Sequence, residues 1–96
     1  MSVARFVKSR KGREDGVASV YELDFPVKYG DDDKTTSFVW VSAVPHVGFV
    51  EGPETYIFAC DSDGEVLDWI ELGGSFKGAM DHDRALRGLG VEKIIR

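Results

Sequence analysis

From Val17 to Tyr29 the chain alternates: Val17, Tyr21, Leu23, Phe25, Val27 and Tyr29 fall on one face, and Glu22, Asp24 and Lys28 on the other. A repeat of two, built from β-branched and aromatic residues, predicts a half-buried strand. Pro26 has no N–H for a ladder and places that strand at a sheet edge or at a bulge. Val3 to Lys8 predicts a shorter strand before it, with KSRKGREDG as the turn between them and GDDDK, Gly30 to Lys34, as the next turn. Thr35 to Val44 is apolar on both faces, the pattern of a central strand.

PHVGFVEGP, bounded by Pro45 and Pro53, cannot continue regular pairing and is the longest irregular connection, a kind of segment that often carries function. Glu54 to Cys60 and Val66 to Leu72 predict two more apolar strands, separated by DSDGE. After GGSFKG the period changes. Asp81 can cap a helix whose Ala85, Leu86 and Leu89 form a narrow apolar stripe, and Gly88 or Gly90 can end it. VEKIIR closes as a short strand or an extended tail. The expected architecture is α+β: a mostly antiparallel, twisted sheet of about five strands in hairpin order, with one short C-terminal helix against a face or an edge.

At 96 residues with 43% hydrophobic content, the chain suits one folded domain with one core, spanning residues 1–96. Cys60 is the one cysteine, so no internal disulfide forms, and His46 and His82 cannot complete a structural zinc site with it. Cys60 stands in phase with Tyr56 and Phe58 and beside Asp61, which makes it a core side chain rather than an activated thiol. The longest apolar run, Phe38 to Val50, is broken by Pro45, His46 and Gly48, and no basic start followed by an apolar stretch opens the chain. A cytoplasmic protein without membrane contact is the expectation.

Charge changes the picture most. Residues 1–13 hold five basic groups and no acid, for +5; residues 14–83 set sixteen acids against Lys28, Lys34 and Lys77, for −13; residues 84–96 hold four basic groups and Glu92, for +3. The net −5 therefore hides a strong partition, and such fields select partners.

The stretch YIFACDSDGEVLDW, Tyr56 to Trp69, looks most like chemistry. A calcium loop of the EF-hand kind needs glycine at its sixth position and glutamate at its twelfth; counted from Asp61, Gly64 arrives fourth and Glu71 one short of twelfth. A hairpin turn fits instead, with Asp61 bonding nearby backbone N–H groups and Gly64 supplying a positive φ. The residue of interest is then charge. Asp31, Asp32, Asp33, Glu51, Glu54, Asp61, Asp63, Glu65 and Asp68 all lie near predicted turns, and carboxylates displayed on a rigid sheet can occupy a basic groove built for nucleic acid. The expected partner is a basic protein, such as a nucleic-acid-binding effector complex.

Other constellations are weaker. KSRKGR places Lys8, Arg10, Lys11 and Arg13 within six residues, an alternative nucleic-acid-binding turn that lacks an interleaved aromatic. His82 with Asp81 or Asp83 is the one acid–base pair that local sequence offers, a second alternative, and its plainer reading is a helix start. GGSFKG lacks phosphate-loop spacing and suits a connection from sheet to helix, so no cofactor is expected. Trp40 and Trp69 each fit a core position or the apolar centre of an interface.

Residues 54–90, ETYIFACDSDGEVLDWIELGGSFKGAMDHDRALRGLG, resemble a pattern found in small uncharacterised proteins of bacteria, phages and mobile elements. Its parts are an aromatic strand, a DG turn, a W-x-E-L strand, a G-S-[FY]-[KR]-G connection and a D-H-x-x-A-L helix. The resemblance covers less than half of the chain and brings no catalytic residue with it. It implies genomic company that includes inhibitors of host defence, anti-CRISPR proteins among them; with each catalytic constellation failing on spacing or sign, the expectation is a non-catalytic inhibitor.

Overall fold

The computed structural model describes residues 2–11, 17–30, 33–45 and 53–96, with the side chains of residues 10, 11 and 17 outside that description. In chain order the elements are β1 (Val3–Lys11), β2 (Val17–Tyr29), β3 (Lys34–Val44), β4 (Glu54–Cys60), β5 (Val66–Asp68), β6 (Phe76–Lys77), α1 (His82–Leu89) and β7 (Lys93–Ile95). The sheet order is β5-β4-β3-β2-β1-β7, and β6 also pairs with β4. β3 is central, as its two apolar faces require.

The α+β class holds, and the expected mostly antiparallel sheet of about five strands is corrected to a mixed sheet of seven strands among the described residues. β7 supplies the parallel pairing, with Val3 opposite Lys93 and Arg5 opposite Ile95. Its reason is the helix: α1 carries the chain across one face from the β4 side, and the tail arrives at the free edge of β1 running in the same direction. β6 arises inside the GGSFKG connection, where Phe76 pairs with Thr55 and Lys77 with Glu54. The predicted strand Val66 to Leu72 ends early, at Asp68. The Asp68 carboxylate accepts the Ile70 N–H at 3.0 Å and turns the chain outward, until the Leu72 N–H rejoins the Ile57 carbonyl at 2.8 Å.

Two register breaks shape the long strands. Around Pro26 the pairing of β2 with β3 shifts between Glu22 and Val27, so the proline sits at a bulge of an interior strand. In β1 the shift falls between Phe6 and Lys8, leaving Val7 unpaired. Ala4 and Phe6 therefore share the helix-covered face, whereas Lys8 sits opposite Val20 on the other.

The core lies between α1 and the sheet: Tyr21, Leu23, Val39, Val41, Ile57, Ala85 and Leu86 are all buried in one cluster. Asp81 caps the helix as its sequence predicts, accepting the Arg84 N–H at 3.1 Å, and Gly90 ends it. Thr55 ties β4 to the helix start by donating to the Ala79 carbonyl at 2.8 Å and accepting the Asp81 N–H at 3.0 Å. The Arg84 guanidinium lies 4.4 Å from the centre of the Phe76 ring. Gly74 makes this seat possible. Its φ is 102°, and a Cβ there would lie 2.3 Å from the Ala85 carbonyl oxygen.

Candidate functional site

Antiparallel pairing decides which turns share an end of the sheet. Tyr29 pairs with Lys34 and Phe38 with Cys60, so the β2–β3 and β4–β5 connections leave at the same end. Those connections carry Asp33 and the run from Asp61 to Glu65. Lys11 pairs with Val17, Val17 with Ala43 and Ala43 with Thr55, so the β1–β2 and β3–β4 connections leave at the opposite end. Acidic segments distant in sequence are thus gathered at one end, and Lys8–Lys11 of β1 runs toward the other. A Cβ on Gly30 would lie 3.6 Å from Asp68 Oδ2, so the β2–β3 connection approaches the end of β5.

Within that end the carboxylates divide by role. Asp61 accepts the N–H groups of Asp63 and Glu65, each at 2.9 Å, and its own N–H donates to the Glu65 carbonyl at 3.0 Å. Gly64 takes a φ of 86°. Asp61 therefore builds the turn, as Asp–Gly chemistry predicts. Asp63, Glu65 and Asp33 have exposed side chains. Asp33 adopts a φ of 54°, and Lys28 Nζ lies 3.9 Å from its carboxylate, a solvated pair of little energetic weight.

Glu54 does not belong with them. Its side chain is 3% exposed, and its carboxylate lies 3.8 Å from Lys77 Nζ across the β4–β6 pairing, so it is removed from the displayed set. Asp31, Asp32, Glu51 and Arg13 lie outside the described residues. Lys8, Arg10 and Lys11 are strand positions of β1 rather than part of a turn, with Lys8 opposite Val20 and Arg10 registered opposite Ala18.

The sheet face away from α1 carries an aromatic cluster. Trp69 meets Phe58 at 5.1 Å and Trp40 at 5.5 Å between ring centres, both edge-on, and Tyr56 stacks on Phe58 at 6.0 Å. Phe58 is buried, Trp40 is half-buried and Trp69 is 57% exposed. The sequence left the tryptophans open between core and interface. Their fates differ because Asp68 turns the chain before Trp69, and an aspartate inside a strand-like run is the local signal for such an exit.

No known protein family, curated protein or solved structure matches the chain. Among the described residues no group of three His, Cys, Asp or Glu side chains is placed to hold a metal ion, and no helix is long and apolar enough to cross a membrane.

On the helix-covered face, a cleft of about 650 Å³ opens between the sheet and the start of α1, lined by Phe6, Tyr21, Met80, His82, Asp83 and Arg96. Local sequence gave no signal for Tyr21 or Arg96 here, because strands and tail meet only in the fold. The carboxylates flanking His82 have structural partners: Asp81 caps the helix and Asp83 pairs with Arg96. Burial raises the Tyr21 hydroxyl above the ordinary tyrosine value, and the Arg96 guanidinium opposes part of the rise. A pKa raised in the folded state contributes stability in full below about pH 10 and loses it as pH climbs through the folded value. Melting temperatures across that alkaline range should accordingly fall less steeply for Tyr21→Phe than for the native protein, and parallel curves would refute the assignment.

Proposed function

We propose that this protein is a non-catalytic inhibitor that docks the acidic end of its sheet on a basic, nucleic-acid-handling partner protein, in the manner of an anti-CRISPR protein. The observation that carries this reading is the gathering of the β2–β3 and β4–β5 acidic connections at one end, away from the end toward which Lys8–Lys11 of β1 runs. Bonds from Asp61 to the Asp63 and Glu65 N–H groups hold the β4–β5 turn in place before any partner arrives. Such a surface offers a basic groove the charge it is built to receive, without the entropy cost of ordering flexible side-chain carriers. The resemblance of residues 54–90 to proteins of phages and mobile elements supports the same class.

The test is competition. Immobilised protein should retain a basic nucleic-acid-binding protein from nuclease-treated extract of its native host, and duplex DNA or heparin should displace it. Retention should weaken as salt rises from about 0.05 to about 0.5 M, because screening shortens the reach of exposed charges. Retention that is indifferent to both salt and polyanion would sink the reading. So would direct binding of labelled DNA by the protein alone that is lost on Lys8→Ala, which would move function to the basic strand β1.

A further inference from the structure

Three of the five exposed large apolar side chains among the described residues, Leu67, Trp69 and Ile70, fall within four consecutive positions, at 43%, 57% and 68% exposure. Soluble domains rarely gather such groups without a use. Around them the chain places Glu65, Asp68 and Glu71, so acids and bulky apolar residues interleave through one short segment. The nearby cation Lys77 stands against Glu54 at 3.8 Å. The segment itself carries three carboxylates and no cation around its apolar residues.

Trp69 is also held in position. Its ring rests edge-on against both Phe58 and Trp40, so it stands out from a packed base instead of sampling solvent freely. A fixed aromatic anchor loses little entropy on binding, which is why tryptophan dominates the energetics of many interfaces. β5 adds a backbone element. It pairs with β4 alone, leaving one side of the strand without a neighbour among the described residues, where an extended segment can add by strand pairing.

We infer that Glu65–Glu71 is a docking edge for an extended cationic peptide segment in which lysine or arginine alternates with bulky apolar residues. Pairing on Val66–Asp68 gives the incoming strand its own period of two, with alternate side chains on the Trp69 side of the sheet and the others free to meet Glu65, Asp68 and Glu71. The inference rests on the reading of the protein as a binder of basic partners, and it specifies the part of the partner that is gripped.

Three labelled peptides of equal length test it by fluorescence anisotropy: alternating Lys/Leu, alternating Lys/Ser and alternating Glu/Leu. The Lys/Leu peptide should bind about tenfold or more tightly than Lys/Ser, and Glu/Leu should not bind. Ile70→Ser, at a side chain that is 68% exposed, should weaken the Lys/Leu peptide by about tenfold while the melting temperature holds. Trp69→Ser should weaken it at least as much, with Ile70→Ser serving as the check should the aromatic cluster loosen.

Equal binding of Lys/Leu and Lys/Ser, or an Ile70→Ser protein that binds like the native one, would overturn the docking edge while leaving the acidic-end reading intact. No binding of any peptide, with salt-sensitive retention of the intact basic partner still present, would do the same. Sedimentation that shows a native dimer converted to monomer by Ile70→Ser would also overturn it, giving this edge to a second copy of the chain instead.

Discussion

Gly74→Ala should lower the stability of the fold by about 3 kcal/mol or more, seen as a fall in melting temperature of about 10–20 °C. Two costs combine at this position. The backbone φ of 102° lies where L-residues with a Cβ are strained, and the added methyl would stand 2.3 Å from the Ala85 carbonyl oxygen and 2.8 Å from the Leu89 amide nitrogen. Neither neighbour can step aside, because both belong to the helix backbone that packs Leu86 into the core. Gly73→Ala is the control: a Cβ there meets nothing within 4 Å, and the substitution should be close to neutral. Similar melting temperatures for the two variants would mean that the helix does not sit on the connection as described.

The second large effect is on binding. Neutralising the exposed carboxylates as Asp33→Asn, Asp63→Asn and Glu65→Gln should weaken retention of a basic partner by about tenfold or more at low salt. Stability should stay the same or rise slightly, since like charges at one end repel. Asp61 is left in place on purpose. Its carboxylate holds two backbone N–H groups of the turn, so its removal would confound charge with structure. Asparagine also tolerates the positive φ of Asp33. Isothermal titration against the partner, alongside thermal melts, reads both quantities. Unchanged affinity would remove the acidic end from the mechanism; lost affinity together with a lowered melting temperature would show that the three carboxylates serve the fold.

What was legible in the chain was what local chemistry determines. Alternation disclosed β2 because each residue in turn faces core or solvent, and Asp61 with Gly64 disclosed a turn because its bonds span only a few residues. The cap at Asp81 and the stripe of Ala85 and Leu86 were legible for the same reason. Pairings set at a distance were not. β6 is two residues whose strand character depends on Thr55 and Glu54, and β7 needs the edge of β1. Glu54 looked like a surface acid until that pairing brought Lys77 to it. For Trp69 the sequence was ambiguous: the apolar pattern continued past Asp68, and only the side-chain bond to the Ile70 N–H diverted it.

The parallel pairing of β7 with β1 bears on how the chain is made. Val3 and Lys93 meet across nearly the whole described chain, and the amides of Glu92 and Lys93 both donate to the Ser2 carbonyl at 3.0 Å. During synthesis β1 and β2 can pair as soon as both have left the ribosome, yet the outer edge of β1 stays bare until Lys93–Ile95 follows. A nascent chain stalled before that point exposes a strand edge open to other chains. Closure of the β1 edge thus waits for the segment that follows α1, and the interval between the appearance of the two sets how long that edge stays open.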